Sequence, residues 1–206
     1  MQKIVTYIYK GVRKIFLSII FLINKFVTWL IFYSNNIKFK KFKTKGIPYI
    51  SVALGGNCSI DDNFIMNNGN KGNPIGRPQR CTLFVDKGAK LEIGKNVGIS
   101  SAAIIVHEFI RIGDNVKIGG GVCIYDTDFH SLDPNKRNNI ESDFQHKVTR
   151  PVIIGNNVFI GAHSTLLKGV TVGENSIIGA CSLVTKNIPA NQIWAGNPAK
   201  FVKEIK

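Results

Sequence analysis

The chain has 206 residues, of which 44% are hydrophobic, 20 are glycine and only 19% carry a charge, so it is long and apolar enough to bury a sizeable core. Its four cysteines, Cys58, Cys81, Cys123 and Cys181, form no CxxC pair and follow no cleavable signal sequence, which disfavours a disulfide framework and points to reduced cytosolic thiols. The formal charge of +14 is not spread evenly: residues 1–46 hold ten Lys or Arg and no acid, leaving seventeen basic against thirteen acidic side chains in the rest.

In chain order, the basic segment 1–46 comes first, and it is hydrophobic as well. It reads IFLSIIFLIN, then Lys25, then FVTWLIFY, then the basic run KFKKFKTK at 38–45. On a helix of about 100° per residue, Lys3, Thr6, Lys10, Arg13, Lys14, Ser18, Asn24, Lys25 and Thr28 fall in one polar stripe broken by Leu17 and Phe21. No uninterrupted apolar run of about 18 residues occurs, which disfavours a spanning helix. The pattern predicts a helix lying in the membrane interface, its lysines toward anionic headgroups and Trp29 and Tyr33 near the boundary. The alternative is a pair of helices packed on the following domain or on neighbouring subunits. So much Ile, Leu and Phe argues against nucleic acid as the partner.

Residues 47–90 are less regular. Asn, Gly and Pro crowd NNGNKGNPIGRPQR at 67–80, which predicts a surface loop, and SIDDNFI and FVDKGAKLEI flank it as partial repeats. From there a six-residue beat takes over. Ile112, Ile118, Ile124, Ile154, Ile160, Leu166, Val172, Ile178 and Val184 share one phase, and Ile93, Ile99 and Ile105 keep the spacing one residue out of step. Glycine follows seven of these twelve residues, and a small or β-branched residue lies four positions on, from Val97, Ala103, Val116 and Val122 through Val158, Ser164, Val170, Ser176 and Ser182. A helix repeats its apolar residues near every 3.6 positions and a sandwich strand every two. A strict six predicts an all-β solenoid, a parallel β-helix of triangular 18-residue coils preceded by the helical segment. The beat pauses after Ile124 and resumes at Ile154, so a loop of 24 extra residues leaves the coil over about 125–150; it contains DTDFHSLDPNKRNN. Long loops in compact folds tend to be functional.

The segments IGDNVKIGGGVCI and IGNNVFIGAHSTLLKGVTVGENSIIGACSLVTKNIPANQIWAGNPAK resemble the hexapeptide-repeat acyltransferases, most closely the maltose and galactoside O-acetyltransferase-like branch that includes polysaccharide O-acetyltransferases. The resemblance covers roughly residues 83–203. It implies a left-handed β-helix over 47–206, a homotrimer, and acetyl-CoA as co-substrate in the groove between subunits.

By its place in the excursion, between the coils beginning IGDNV and IGNNV, His130 matches the family's catalytic histidine. An imidazole with a reference pKa of about 6.5 is mostly neutral at cytosolic pH and suits the removal of a hydroxyl proton. A carboxylate or backbone carbonyl should hold its other ring nitrogen; Asp128 is the nearest candidate, with Asp126 and Asp133 behind it. The family's oxyanion donor, often an asparagine, falls on Ser100 or Ser101. Ala162 and Ala180 match positions that touch pantetheine and nucleotide through the backbone, and Thr185, Lys186, Lys200 and Lys203 match adenine-side and phosphate-side positions, where lysines offset phosphate charge. Phe159 stands where the family often has tryptophan.

The leading expectation is therefore an O-acetyltransferase acting on a sugar or glycan hydroxyl of capsule, O-antigen or exopolysaccharide at the cytosolic membrane face. N-transfer to an amino sugar or antibiotic is the alternative. A zinc hydratase is disfavoured because His130, His146 and His163 are separated by 16 and 17 residues with no HxxxxH, so no metal is expected. A non-catalytic scaffold would not need His130 together with the lysine-bearing tail. His163 falls at a coil corner, where a structural and a site role are equally open; His107 and His146 carry no motif of their own, and the sequence identifies no neighbour that would activate Cys123 as a nucleophile.

Overall fold

A computed structural model describes residues 1–73 and 77–205; positions 74–76 of the expected 67–80 loop lie outside the described residues. One helix, α1 (Gln2–Ser34), precedes a three-faced coil of short strands. Face A stacks Lys38–Phe39, Asn57–Ile60, Lys90–Ile93, Phe109–Ile112, Val152–Ile154 and Thr171–Val172, all in parallel. Face B runs from Phe42–Lys45 to Gln192–Ala195 and face C from Tyr49–Val52 to Leu183–Val184. The final strand, Lys200–Glu204, turns back antiparallel on the last strand of face B. The coil therefore starts at Lys38, well before the region that carries the resemblance, and the strands Tyr49–Val52, Asn57–Ile60 and Phe64–Asn67 already lie in it, followed by a one-turn helix, α2 (Gly69–Gly72), before the coil resumes at Thr82.

The six-residue beat becomes the inward column of each face. Ile112, Ile118, Ile124, Ile154, Ile160, Leu166, Val172, Ile178 and Val184 are all buried. The smaller inward serines are satisfied by carbonyls of the coil: Ser164 Oγ donates to Gly179 O at 2.9 Å and Ser176 Oγ to Pro189 O at 2.7 Å. The phase slip has a local cause. Ile99 and Ile104 are both buried, with only the Ser100–Ser101 corner and two alanines between them, so the corner from face B to face C is one residue short there. Ile105 consequently points outward and Ala102, not Ala103, fills the interior, a correction to the expected register. The following corner at His107 and Glu108 is longer, and Ile110 and Ile112 regain the column.

The corner from face A to face B carries an element that the glycine and aliphatic slots did not reveal. Asn63, Asn96, Asn115, Asn157, Asn175 and Asn191 all sit at φ between 58° and 61°, the left-handed region. Their side chains form a ladder, each amide nitrogen donating to the next oxygen at 2.8–3.1 Å. Asparagine tolerates this backbone better than any other residue with a Cβ, and its amide both donates and accepts, so one residue type meets both demands.

The N-terminal segment forms one continuous helix of 33 residues, about 50 Å at 1.5 Å per residue, the single helix expected and not the pair of the alternative; it differs from expectation in two ways. The basic run at 38–45 is not part of it: it forms the first coil, with Phe42 and Thr44 buried and the lysines outward. Last, the polar stripe does not all face away from the protein. Thr28 and Phe32 are fully buried against the first coil, where Phe32 packs on Phe39 and Phe42 at 5.1 and 4.9 Å between ring centroids. Asn35 Oδ1 accepts a hydrogen bond from Val52 N at 2.9 Å. The outward side carries Leu22, Ile23, Phe26, Trp29, Leu30 and Tyr33, all exposed. The helix is long and apolar enough to cross a membrane despite Lys25.

The ladder yields a test of conformation against hydrogen bonding. Asn157→Ala should destabilise the coil by about 1–2 kcal/mol, from a disfavoured backbone and two lost amide contacts. Asn157→Gly, free to adopt a φ of 59°, should lose less; thermal melts of the two variants make the comparison.

Candidate active site

The long excursion leaves the corner from face C to face A on a short stalk, with Thr127 bridged to Thr149 and Asp128 N donating to Val148 O at 3.0 Å. It contains two short helices, α3 (Pro134–Arg137) and α4 (Ile140–His146). Asp133 caps α3 by accepting from Asn135 N at 2.9 Å, and Asn139 caps α4 by accepting from Ser142 N at 3.0 Å. The sequence order Asp-Pro at the start of α3 is what that cap requires.

His130 leads the loop that crosses back over α4, and its side chain is 68% exposed. Its Nδ1 lies 2.6 Å from Asp143 Oδ2, while Asp143 Oδ1 accepts from Ser131 N at 2.6 Å. A carboxylate only accepts, so Nδ1 carries the proton and the lone pair of the neutral ring is on Nε2, directed away from Asp143. Arg137 donates to Ser131 O at 2.9 Å and tightens the same turn. The His130 hydrogen bond, helped by the Ser131 amide, lowers the Asp143 carboxyl below its ordinary 3.8.

Asp128 is not the partner of His130. Its Oδ1 accepts from Lys168 Nζ at 2.5 Å, which ties the stalk to the next coil. Asp126 is buried with its carboxylate on the backbone amides of His107 and Glu108 at 2.7 and 2.8 Å, and Asp133 is the α3 cap. Asp143 escaped sequence reading because it is 13 residues from His130 and meets it only through the fold of the excursion. The capping pattern of Asn139 and Ser142 was the one sequence signal for α4.

The remaining sequence-predicted residues divide between two corners. Ser101, Ala162 and Ala180 lie on the corner from face B to face C, and Cys181 N donates to Ala162 O at 2.8 Å across adjacent coils. Ser101 is buried at φ 46°, and its Oγ accepts from Asn73 Nδ2 at 3.0 Å; Ser100 Oγ accepts from Asn67 at 3.2 Å. Thr185 and Lys186 follow the last strand of face C, on the corner of the excursion, and Lys200 and Lys203 are exposed on the terminal antiparallel strand. Phe159 is 48% exposed on face B. His163 sits at φ 61° beside Ala162, close over Gly121, where an added Cβ would come within 2.8 Å of its ring. Within one chain, then, His130 and the alanine column occupy different corners of the prism. The corner at Ala162 and Ala180 is narrow and small-sided: a Cβ on Gly161 would approach Ala180 N to 2.5 Å, so the coils are in backbone contact and a ligand could lie along exposed amides. Lys200 and Lys203 are exposed on the strand that ends face B, and lysines suit phosphates. Among the described residues, no three His, Cys, Asp or Glu side chains are grouped to hold a metal ion.

Comparison with known proteins gives this geometry a context. A family model for the bacterial transferase hexapeptide (six repeats) matches residues 151–186. The galactoside O-acetyltransferase of Escherichia coli is 39% identical over 124 residues, 60% of this chain and 58% of that protein. A crystal structure of a maltose O-acetyltransferase from Clostridium difficile aligns with a TM-score of 0.55 at 32% identity, over 69% of this chain and 66% of that one. A hexapeptide-repeat acetyltransferase from Vibrio cholerae, solved in complex with acetyl coenzyme A, aligns with a TM-score of 0.50 at 28% identity, over 57% and 60%. The chain spans less than two thirds of the length of the curated relatives it matches.

The Asp143 carboxyl should titrate below 3.8, since its pairing with His130 is present above the ordinary aspartate range and is lost only as the pH falls through the lowered value. Carbon-detected NMR titration of Asp143 reads the midpoint directly. In His130→Ala the midpoint should move upward; an unchanged midpoint would mean that Ser131 and Arg137 set it alone.

Proposed function

The chain belongs to the hexapeptide-repeat acyltransferases, and from that premise we propose that it is an acetyl-CoA-dependent O-acetyltransferase acting on a sugar or glycan hydroxyl. The observation that carries this reading is the pairing of His130 with Asp143 at 2.6 Å on an exposed loop, which orients the basic Nε2 outward. His130 Nε2 takes the proton of the acceptor hydroxyl as its oxygen attacks the thioester carbonyl. The tetrahedral intermediate collapses, the C–S bond breaks, and the CoA thiolate takes the proton back from His130. Asp143 holds the tautomer and stabilises the imidazolium that forms between the two transfers, and no acetylated side chain intervenes.

The separation of His130 from the alanine column supports a homotrimer of left-handed coils. In it the excursion of one chain reaches the corner of Ala162 and Ala180 on the next, and acetyl-CoA lies between them with its phosphates toward Lys186, Lys200 or Lys203. Ser101 or a backbone amide of the same corner is then the oxyanion donor.

Helix α1 supports a seat on the cytosolic face of the membrane, and with it a lipid-linked glycan of capsule, O-antigen or exopolysaccharide as acceptor. Its outward residues are apolar, and the outward lysines of the first coil, Lys38, Lys40, Lys41, Lys43 and Lys45, stand at the same end of the prism.

Thiol release from acetyl-CoA, followed with a panel of sugars, amino sugars and lipid-linked glycans, tests the reaction. His130→Ala should lower kcat by about 10²–10⁴-fold with CoA binding retained. Asp143→Asn should also lower kcat, by leaving the wrong ring nitrogen protonated, whereas Asp128→Asn should act through stability. CoA binding without turnover on any acceptor would favour a scaffold, and a preferred amine acceptor would replace O-transfer with N-transfer. For the membrane seat, the full-length chain should float with vesicles containing phosphatidylglycerol. A Leu22→Glu, Phe26→Glu, Leu30→Glu variant should stay in the soluble fraction; equal flotation of both would remove the helix from the interface.

A further inference from the structure

Besides the Asp128–Lys168 tie at the stalk, the loop that carries His130 and the helix that carries Asp143 both reach one residue of the prism, His107. Its side chain is only 12% exposed. Its Nδ1 stands 2.8 Å from Asp86 Oδ2 and 2.8 Å from Lys147 Nζ, with Lys147 3.6 Å from the same carboxylate. That one nitrogen either donates to Asp86 or accepts from Lys147, and in either tautomer Lys147 and Asp86 face each other beside the ring. Lys147 is the C-terminal cap residue of α4, its side chain 10% exposed and its ammonium 3.7 Å above the ring centroid of Phe144 in that helix. An ammonium removed this far from water is held by the groups around it.

A second arm reaches the same imidazole. Phe129, the residue before His130, has φ 65°, a conformation that a bulky side chain adopts only when its surroundings impose it. Its amide donates to Thr127 Oγ1 at 3.0 Å, and its ring packs edge-on against His107 at 6.0 Å and Tyr125 at 5.1 Å. The left-handed turn at Phe129 folds its ring onto the prism and leaves His130 exposed. The other groups facing His107 favour a fixed arrangement. Asp126 is buried beneath it, holds its backbone amide, and has its carboxyl raised by burial against the pull of those amides and of His107. Asp86 is lowered: burial opposes ionisation, but the Lys87 amide, His107 and Lys147 outweigh it.

We propose that His107, Lys147 and Asp86 form a latch that positions the His130–Asp143 pair, with His107 and Lys147 as positioning residues that touch neither acceptor nor cofactor. Lys147 fixes the end of α4 and so the carboxylate of Asp143. His107 supports Phe129 and so the direction of His130. This inference rests on the acetyltransferase reading for its rate prediction but not for its structural one.

The test compares Lys147→Met, which keeps the buried stem and removes the charge, with Lys147→Arg and His107→Gln in the full chain. Lys147→Met should lower kcat about 10–100-fold, the scale expected when a catalytic group moves by about 1 Å, with KM for acetyl-CoA within about twofold. The low-field Nδ1–H proton resonance of His130, expected from its short bond to Asp143, should disappear. Lys147→Arg should restore both, and His107→Gln, read alongside its thermal melt to separate loosening from unfolding, should weaken both. Retention of the resonance in Lys147→Met and His107→Gln would overturn the latch, as would a fall in kcat with the resonance intact. If the wild type shows no acetyl transfer, the acetyltransferase reading fails, while the resonance still decides whether the latch exists.

Discussion

The left-handed turn at the corner between faces A and B is the constraint on which the rest of the molecule depends. Parallel strands on three faces can stack only if every coil turns at the same height, and six asparagines at φ near 60° supply that turn coil after coil. Their side-chain ladder runs along the stacking direction, parallel to the backbone bonds of the faces, so each rung adds register as well as conformation. Aliphatic columns fill the interior but tolerate sliding and exchange among Ile, Val and Leu. A residue that must both bend left and bond up and down tolerates far less.

The six-residue beat made the coil legible because inward positions in a solenoid are chosen by one demand, burial, repeated many times. Where another demand intervened, the reading slipped. Ile105 had the right spacing and the wrong face, because the short corner at Ser100–Ser101 reset the alternation that hydropathy alone cannot count. The basic run at 38–45 suggested a continuation of the N-terminal segment. Its alternation of Phe and Thr inward with Lys outward is instead the period of a strand. The polar stripe of α1 reads as its headgroup-facing side, yet Thr28 lies against the first coil, because the C-terminal turns of the helix close the end of the prism.

The base we propose, His130, was legible in the sequence, and the groups around it were not. His130 stands out because it interrupts a repeat, and the small corner at Ala162 and Ala180 stands out because it continues one. Asp143, Lys168 and the His107–Lys147 contact belong to neither pattern. Each acts across 13 to 40 residues of chain, and spacing carries no information about such pairs once the intervening loop is irregular. Asp128 shows the reverse error: it is two residues from His130 in sequence, but the stalk commits its carboxylate to Lys168. An excursion long enough to fold its own helices supplies its own orienting carboxylate, and the prism supplies the surface against which that excursion is set.

The two ends of the prism carry a consequence of a different kind. A stack of parallel coils exposes a full layer of unpaired backbone at each terminus, which is the template along which cross-β assemblies grow. Here α1 closes one end through Thr28 and Phe32, and the antiparallel strand Lys200–Glu204 ends face B at the other with an exposed edge bearing lysine. Both terminal elements thus cover backbone that would otherwise be open to pairing, and a chain that lost either would be expected to stack end to end more readily.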